Sequence, residues 1–166
     1  MHTNYYDIPW QPTQSRGILY RSKLESNWSQ LFDCLHITYT YESKQYHIPE
    51  LEHTPEEWFT PDFNLLSCPF NVIEIKPKYP LDSTMLKCAS VSSQGLKVAL
   101  FYGSCYWSQF EIMIFEQGRR REIPVKLVDR LRCKFGVSRT EARKIIGLKY
   151  VLGNRDYVKA FKEVMR

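Results

Sequence analysis

The chain has 166 residues, 43% of them hydrophobic, 14% aromatic and 25% charged. That length allows one core of ordinary size with at most a small appendage, and that composition excludes a disordered chain. No run approaches the roughly 20 apolar residues of a membrane span, and the first residues lack the basic-then-apolar order of a signal peptide, so an intracellular, cytoplasmic protein with no membrane partner is expected.

Charge is unevenly spread. Residues 119–166 hold fifteen Lys and Arg against five Asp and Glu, a net +10, while the other 118 residues hold eight against thirteen, a net −5. A basic tail beside a mildly acidic body suits a polyanionic partner, nucleic acid or an anionic membrane face, or else a well-solvated helix. The five cysteines, Cys34, Cys68, Cys88, Cys105 and Cys133, show no CxxC pair and read as small buried hydrophobes.

Residues 1–19 read as an extended arm. From Ser22 to Leu35 the apolar positions Leu24, Trp28, Leu31, Phe32 and Leu35 recur at helical spacing, with Ser22 as N-cap and Glu25 completing a capping box. "ITYTYE" alternates as a half-buried strand, "QYHI" is a weaker one, and "PELEHTPEEW", rich in prolines and carboxylates, reads as a loop. "FTPDFNL" resumes strand character, and "FNVIEIK" is a strand ended by Pro77. A short helix to about Ser90, the apolar strand "LKVALFYG" and the strand "QFEIMIFEQG" complete a core spanning residues 20–117. The order helix, three strands, helix, strand predicts an α/β or α+β fold with a mixed sheet.

Alternation along the "FNVIEIK" strand places Val72, Glu74 and Lys76 on one face and Ile73 and Ile75 on the other. If the preceding strand pairs with it as a hairpin, Asp62 reaches the same face. Two carboxylates and a peptide carbonyl can hold a hard divalent cation against a phosphate, and a lysine beside them can orient or deprotonate water and neutralise developing charge. Taken alone, a Glu-x-Lys strand is a surface ion pair.

The ordered set "RSKLE", "ITYTYE", "TPDF" and "EIK" resembles the PD-(D/E)XK nuclease superfamily, in particular phage Holliday-junction resolvases and the endonuclease subunit of heteromeric transposases. The resemblance covers about residues 20–104. It implies a restriction-endonuclease-like core with helices flanking the sheet, and a Mg²⁺-dependent endodeoxyribonuclease in which Mn²⁺ substitutes. It implies Asp62 and Glu74 as metal ligands with the Ile75 carbonyl, Lys76 as the catalytic lysine, Glu25 completing the acidic cluster, and Arg21, one turn earlier on the same helix face, at the scissile phosphate or paired with Glu25. Pro77 departs from the small residue usual after the lysine, and the acidic stretch 43–58 would repel DNA unless it points away. No histidine shows metal-ligand spacing.

Residues 118–166 form a basic helical region. Two helices around Gly136, the second opening at Ser138 with Glu141 in a second capping box, resemble a helix-turn-helix. Leu131, Phe135, Val137, Ala142 and Ile145 would supply its apolar face. Arg139, Arg143 and Lys144 would face DNA, with Arg119, Arg120 and Arg121 contacting phosphates; Arg132 stands where a small residue is usual. The alternative is a basic helical extension that packs on the core and touches phosphates without reading bases. "RDYVKAFKEVMR" reads as a closing amphipathic helix. The partner expected is DNA. Cutting both strands needs two sites, which favours a homodimer. The rival readings are a non-catalytic DNA-binding protein on a nuclease fold, and an endonuclease subunit active only beside a transposase-like or phage partner.

Overall fold

The computed structural model describes residues 12–50, 55–68, 71–106, 108–153 and 159. The end of the expected extended arm turns back on itself: β1 (Thr13–Ser15) pairs antiparallel with β2 (Ile18–Tyr20). The turn between them puts Arg16 at φ 49° and Gly17 at φ 80°, the doubly left-handed conformation that suits a two-residue hairpin. Residues 1–11 of the arm lie outside the described residues.

Helix α1 (Lys23–Cys34) begins as its sequence predicts, with the Ser22 hydroxyl accepting from the Glu25 backbone N–H at 3.2 Å. Its inner face, Trp28, Leu31 and Phe32, is fully buried. Strand β3 (Tyr39–Tyr41) follows. The stretch read as a loop over 49–58 supplies a strand instead: β5 (Glu57–Phe59) pairs antiparallel with β4 (Tyr46–Ile48) as a small separate sheet. Ile48 and Phe59 drive this pairing, since both are buried against the helix on that side of the main sheet.

The main sheet is completed by β6 (Phe63–Leu65), β7 (Asn71–Lys76), β8 (Lys97–Gly103), β9 (Phe110–Glu116) and β10 (Arg119–Arg120), in the order β10-β9-β8-β7-β6-β3. Only the β7–β8 pair is parallel, and its crossover is helix α2 (Asp82–Ser92), two residues longer than expected. A mixed sheet flanked by helices is therefore the architecture, in agreement with the expected fold class. The short strand β10 was not expected; a turn through Gln117 (φ 54°) and Gly118 (φ 80°) folds the first basic residues back onto β9.

The sheet carries a core on each face. Ile73, Ile75, Ala99, Phe101 and Ile114 face α1, and Val72, Val98, Leu100, Met113 and Phe115 face α2. Helix α3 (Val125–Phe135) ends at Gly136, left-handed at φ 63°, and α4 (Arg139–Leu152) opens with the predicted Ser138–Glu141 capping box. Leu148, Val151 and Leu152 of α4 enter the same cluster as Trp28 and Phe32 of α1, and the Asn71 side-chain amide donates to the Val151 carbonyl at 2.8 Å. The basic segment thus packs on the sheet. Among the described residues no helix is long and apolar enough to cross a membrane. Two cysteines depart from the buried reading: Cys34 and Cys133 are exposed, while Cys88 and Cys105 are buried.

Candidate active site

The antiparallel register Phe63↔Ile73 sets the site. Continued by one residue, it places Asp62 directly across from Glu74, and the Asp62 backbone N–H donates to Glu74 Oε2 at 3.3 Å. Alternation along β7 brings Lys76 to the same side as Glu74, where Nζ lies 2.6 Å from Glu74 Oε1. Asp62 Oδ2 accepts from the Ile75 backbone N–H at 2.6 Å. The hydrophobic residues between, Ile73 and Ile75, are buried on the opposite face and hold the strand in place.

Arg21 reaches this pair from the other side. It does not lie on α1, as expected, but ahead of the N-cap, where its guanidinium contacts Asp62 Oδ1 at 3.1 Å and Glu42 Oε1 at 2.5 Å. Glu25 departs from its expected cap role. Only half of the capping box forms, and the Glu25 carboxylate turns to the Tyr41 hydroxyl, which donates to Oε2 at 2.5 Å. The same hydroxyl accepts from the Arg21 backbone N–H at 3.0 Å. Tyr41 and Glu42 were missed in the sequence, where Tyr41 counted as one more apolar-face residue of its strand. The available signal was a glutamate closing an alternating strand opposite a Pro-Asp pair.

Asp62 is 1% exposed and Glu74 3%. Burial, then the charges of Glu74 and Glu25, push the Asp62 carboxyl well above the usual carboxylate range. Burial also raises Glu74, against the pull of Lys76. Desolvation works against the Lys76 ammonium, but Glu74 and Asp62 outweigh it and hold its pKa above that of a free lysine. Tyr41 is raised by burial and by the Glu25 carboxylate it serves, so it remains a donor. Four carboxyl groups (Glu25, Glu42, Asp62, Glu74) thus stand around two cations (Arg21, Lys76), an acid-rich cluster with Asp62 and Glu74 at its buried centre. Cys88, on α2, feels the same field: burial and Glu74 push its thiol up, which removes it as a thiolate ligand.

The donors are oxygens, the choice of a hard cation such as Mg²⁺, and each carboxylate oxygen retains acceptor capacity beyond its one protein donor. Among the described residues, no three His, Cys, Asp or Glu side chains converge as a ready-made cage. Asp62 and Glu74 are the two carboxyl groups that stand directly opposite one another.

The residues expected at DNA divide. Arg119, Arg120, Arg121, Arg139 and Arg143 are exposed. Arg121 is held by Glu116 at 2.7 Å and lies over the Tyr150 ring, and Arg139 is held by Asp129 at 3.4 Å. Lys144 is a correction. It is 5% exposed, with Nζ 4.8 Å from the Phe110 ring centroid, because α4 turns that side toward β9. Desolvation lowers its pKa. The expected helix-turn-helix core forms in part: α3 packs on α4, Ala142 and Ile145 are buried and Leu131 and Val137 half-buried, but Phe135 is 57% exposed, because no described strand covers α3 on that side. Of "RDYVKAFKEVMR", all but Lys159 lies outside the described residues. Comparison with known proteins finds no match: no family model, no curated protein and no solved structure aligns with the chain.

Proposed function

We propose that this chain is a metal-dependent DNA endonuclease of the PD-(D/E)XK type, hydrolysing phosphodiester bonds at Asp62, Glu74 and Lys76. One observation carries the reading: two carboxylates with almost no exposure stand face to face at the end of a central sheet, with a lysine on one and an arginine on the other. Each carboxyl has one cation beside it, and two acids buried side by side are an arrangement that a further cationic ligand would stabilise. The elements around them support the same reading, because α1, the antiparallel β3-β6-β7 meander, α2 and the parallel strand β8 follow the order in which the resembling motifs occur.

Asp62, Glu74 and the Ile75 carbonyl would hold Mg²⁺ or Mn²⁺, which when bound polarises a phosphoryl oxygen and makes an adjacent water a better nucleophile. Lys76 is protonated at neutral pH, so its part is to donate to that water or to a non-bridging oxygen and to neutralise developing charge, rather than to act as base. Arg21 fixes Asp62 and has N–H groups left over for the scissile phosphate. Glu25, oriented by Tyr41, adds a third, buried carboxyl group near Asp62.

The test is incubation of the protein with plasmid, branched and linear DNA plus Mg²⁺ or Mn²⁺, beside Asp62→Ala and Lys76→Ala variants. Wild type cuts at least one substrate and the variants do not. Equal activity in wild type and variants, or none in either, sinks the proposal for the isolated chain. Cleavage that appears only on adding a partner protein selects the subunit reading, and DNA retention indifferent to Asp62 and to metal selects the non-catalytic one.

A further inference from the structure

A cavity of about 270 Å³ opens at the sheet edge between β9, β10 and the first turns of α4. Its lining holds four cations, Arg120, Arg121, Arg143 and Lys144, against two acids, Glu111 and Glu122. Of these, Arg121 is engaged by Glu116, and Glu111 accepts from the Tyr102 hydroxyl at 2.6 Å. The Arg120 and Arg143 side chains make no ion pair or hydrogen bond among the described residues, and both are exposed. Two guanidiniums with no side-chain partner, one from β10 and one from α4, line one concavity with Lys144 buried beside them, a donor set suited to an anion.

The backbone adds to it. Strand β10 pairs with β9 only at Glu116 and Phe115, and the Arg121 N–H to Ile114 carbonyl bond, 2.7 Å, is the next contact. The edge of β9 at Glu111–Met113 therefore has no strand partner on that side, which leaves peptide groups facing the cavity. The Glu111 corner of the lining stands in register with the candidate row, Lys76 neighbouring Tyr102 and Tyr102 neighbouring Glu111, while α4 brings Arg143 and Lys144 in over the α1 face of the sheet. Two interstrand spacings put Glu111 about 10 Å from Lys76 along the sheet.

We infer that this cavity is a phosphate-binding subsite, in which Arg120 and Arg143 clamp a backbone phosphate of the nucleic-acid strand a few nucleotides from the bond at Lys76. It builds on the endonuclease reading but is tested apart from cleavage. Lys144 then serves as the charged floor of the subsite, not as a base-reading side chain.

The experiment is fluorescence anisotropy of labelled duplex and four-way-junction DNA over a salt series in EDTA, where no cutting occurs. Wild type is compared with Arg120→Ala, Arg143→Ala, the double variant, and Arg130→Ala, an exposed α3 charge outside the cavity. Each single pocket variant lowers the slope of log K against log salt by about 1 and the double variant by about 2, while Arg130→Ala leaves it unchanged. The subsite is overturned by a wild-type slope in the double variant, by an equal drop in Arg130→Ala, or by binding to phosphatidylserine vesicles with none to DNA. A pocket-dependent slope in a protein that cuts nothing would retire the endonuclease reading and leave the subsite standing; cleavage lost in Asp62→Ala with slopes unmoved in the pocket variants does the reverse.

Discussion

Replacing Lys76 with Met keeps most of the side-chain volume and removes the ammonium 2.6 Å from Glu74. Breaking a fully buried ion pair costs about 3–5 kcal/mol, and breaking an exposed one about 0–1. Here the glutamate side chain is 4% exposed but the lysine side chain 36%, so solvent screens one end and the expected loss is about 2 kcal/mol. In a chain of this length that lowers the melting temperature by about 4–8 °C. The loss has a definite pH dependence. Burial already raises Glu74, and without Lys76 its folded pKa rises further while its unfolded pKa stays ordinary. Below the wild-type Glu74 pKa the carboxyl is protonated in both proteins and the variant loses little. As pH rises through the interval between the two folded values, wild type ionises against its lysine while the variant must keep a proton or bury a lone charge, so the stability gap opens. Urea unfolding in EDTA at about pH 5 and about pH 8 measures it, with Glu74→Gln and the double variant closing a cycle. A gap that is flat with pH, or a variant more stable than wild type at the higher pH, refutes the coupling of Glu74 to Lys76.

Divalent cation raises the unfolding midpoint, and the gain shrinks as pH falls, because protons compete with the cation for Asp62 and Glu74, whose carboxyls burial raises; calorimetry with Ca²⁺ over a pH series checks this without turnover. Tyr41→Phe releases Glu25, so cleavage falls roughly tenfold in kcat with KM for DNA little changed, at a stability cost of about 1 kcal/mol read by thermal unfolding. Gly103→Ala destabilises by more than about 2 kcal/mol, since φ is 104° and an added Cβ would fall 2.0 Å from the Gln109 carbonyl oxygen; chemical denaturation measures it.

The candidate face was legible because its cause is local. Strand alternation alone puts Glu74 and Lys76 together, and the Pro61-Asp62 pair needs only a hairpin to join them. Helix α1 was equally legible from Ser22 and the Trp28, Leu31, Phe32 stripe. What escaped depends on partners distant in sequence. Strand β5 forms because Phe59 finds the α2 side of the sheet, Glu25 leaves its cap because Tyr41 arrives from another strand, and Lys144 is buried because α4 lies on β9. Phe135 has the helical spacing of a core residue, and only the placement of α3 outside the sheet exposes it.

The cluster shared by α1 and α4 has a consequence for synthesis. Trp28 and Phe32 are made early, whereas Leu148, Val151 and Leu152, which close over the same surface, are among the last described residues to leave the ribosome. Until then the nascent sheet carries an uncovered apolar face, and these sequence-distant contacts slow its closure. The two buried carboxyl groups therefore gain a finished scaffold only when translation of α4 is complete, so a message truncated before residue 148 yields a chain that holds Glu25, Asp62, Glu74 and Lys76 but lacks the helix that covers its sheet.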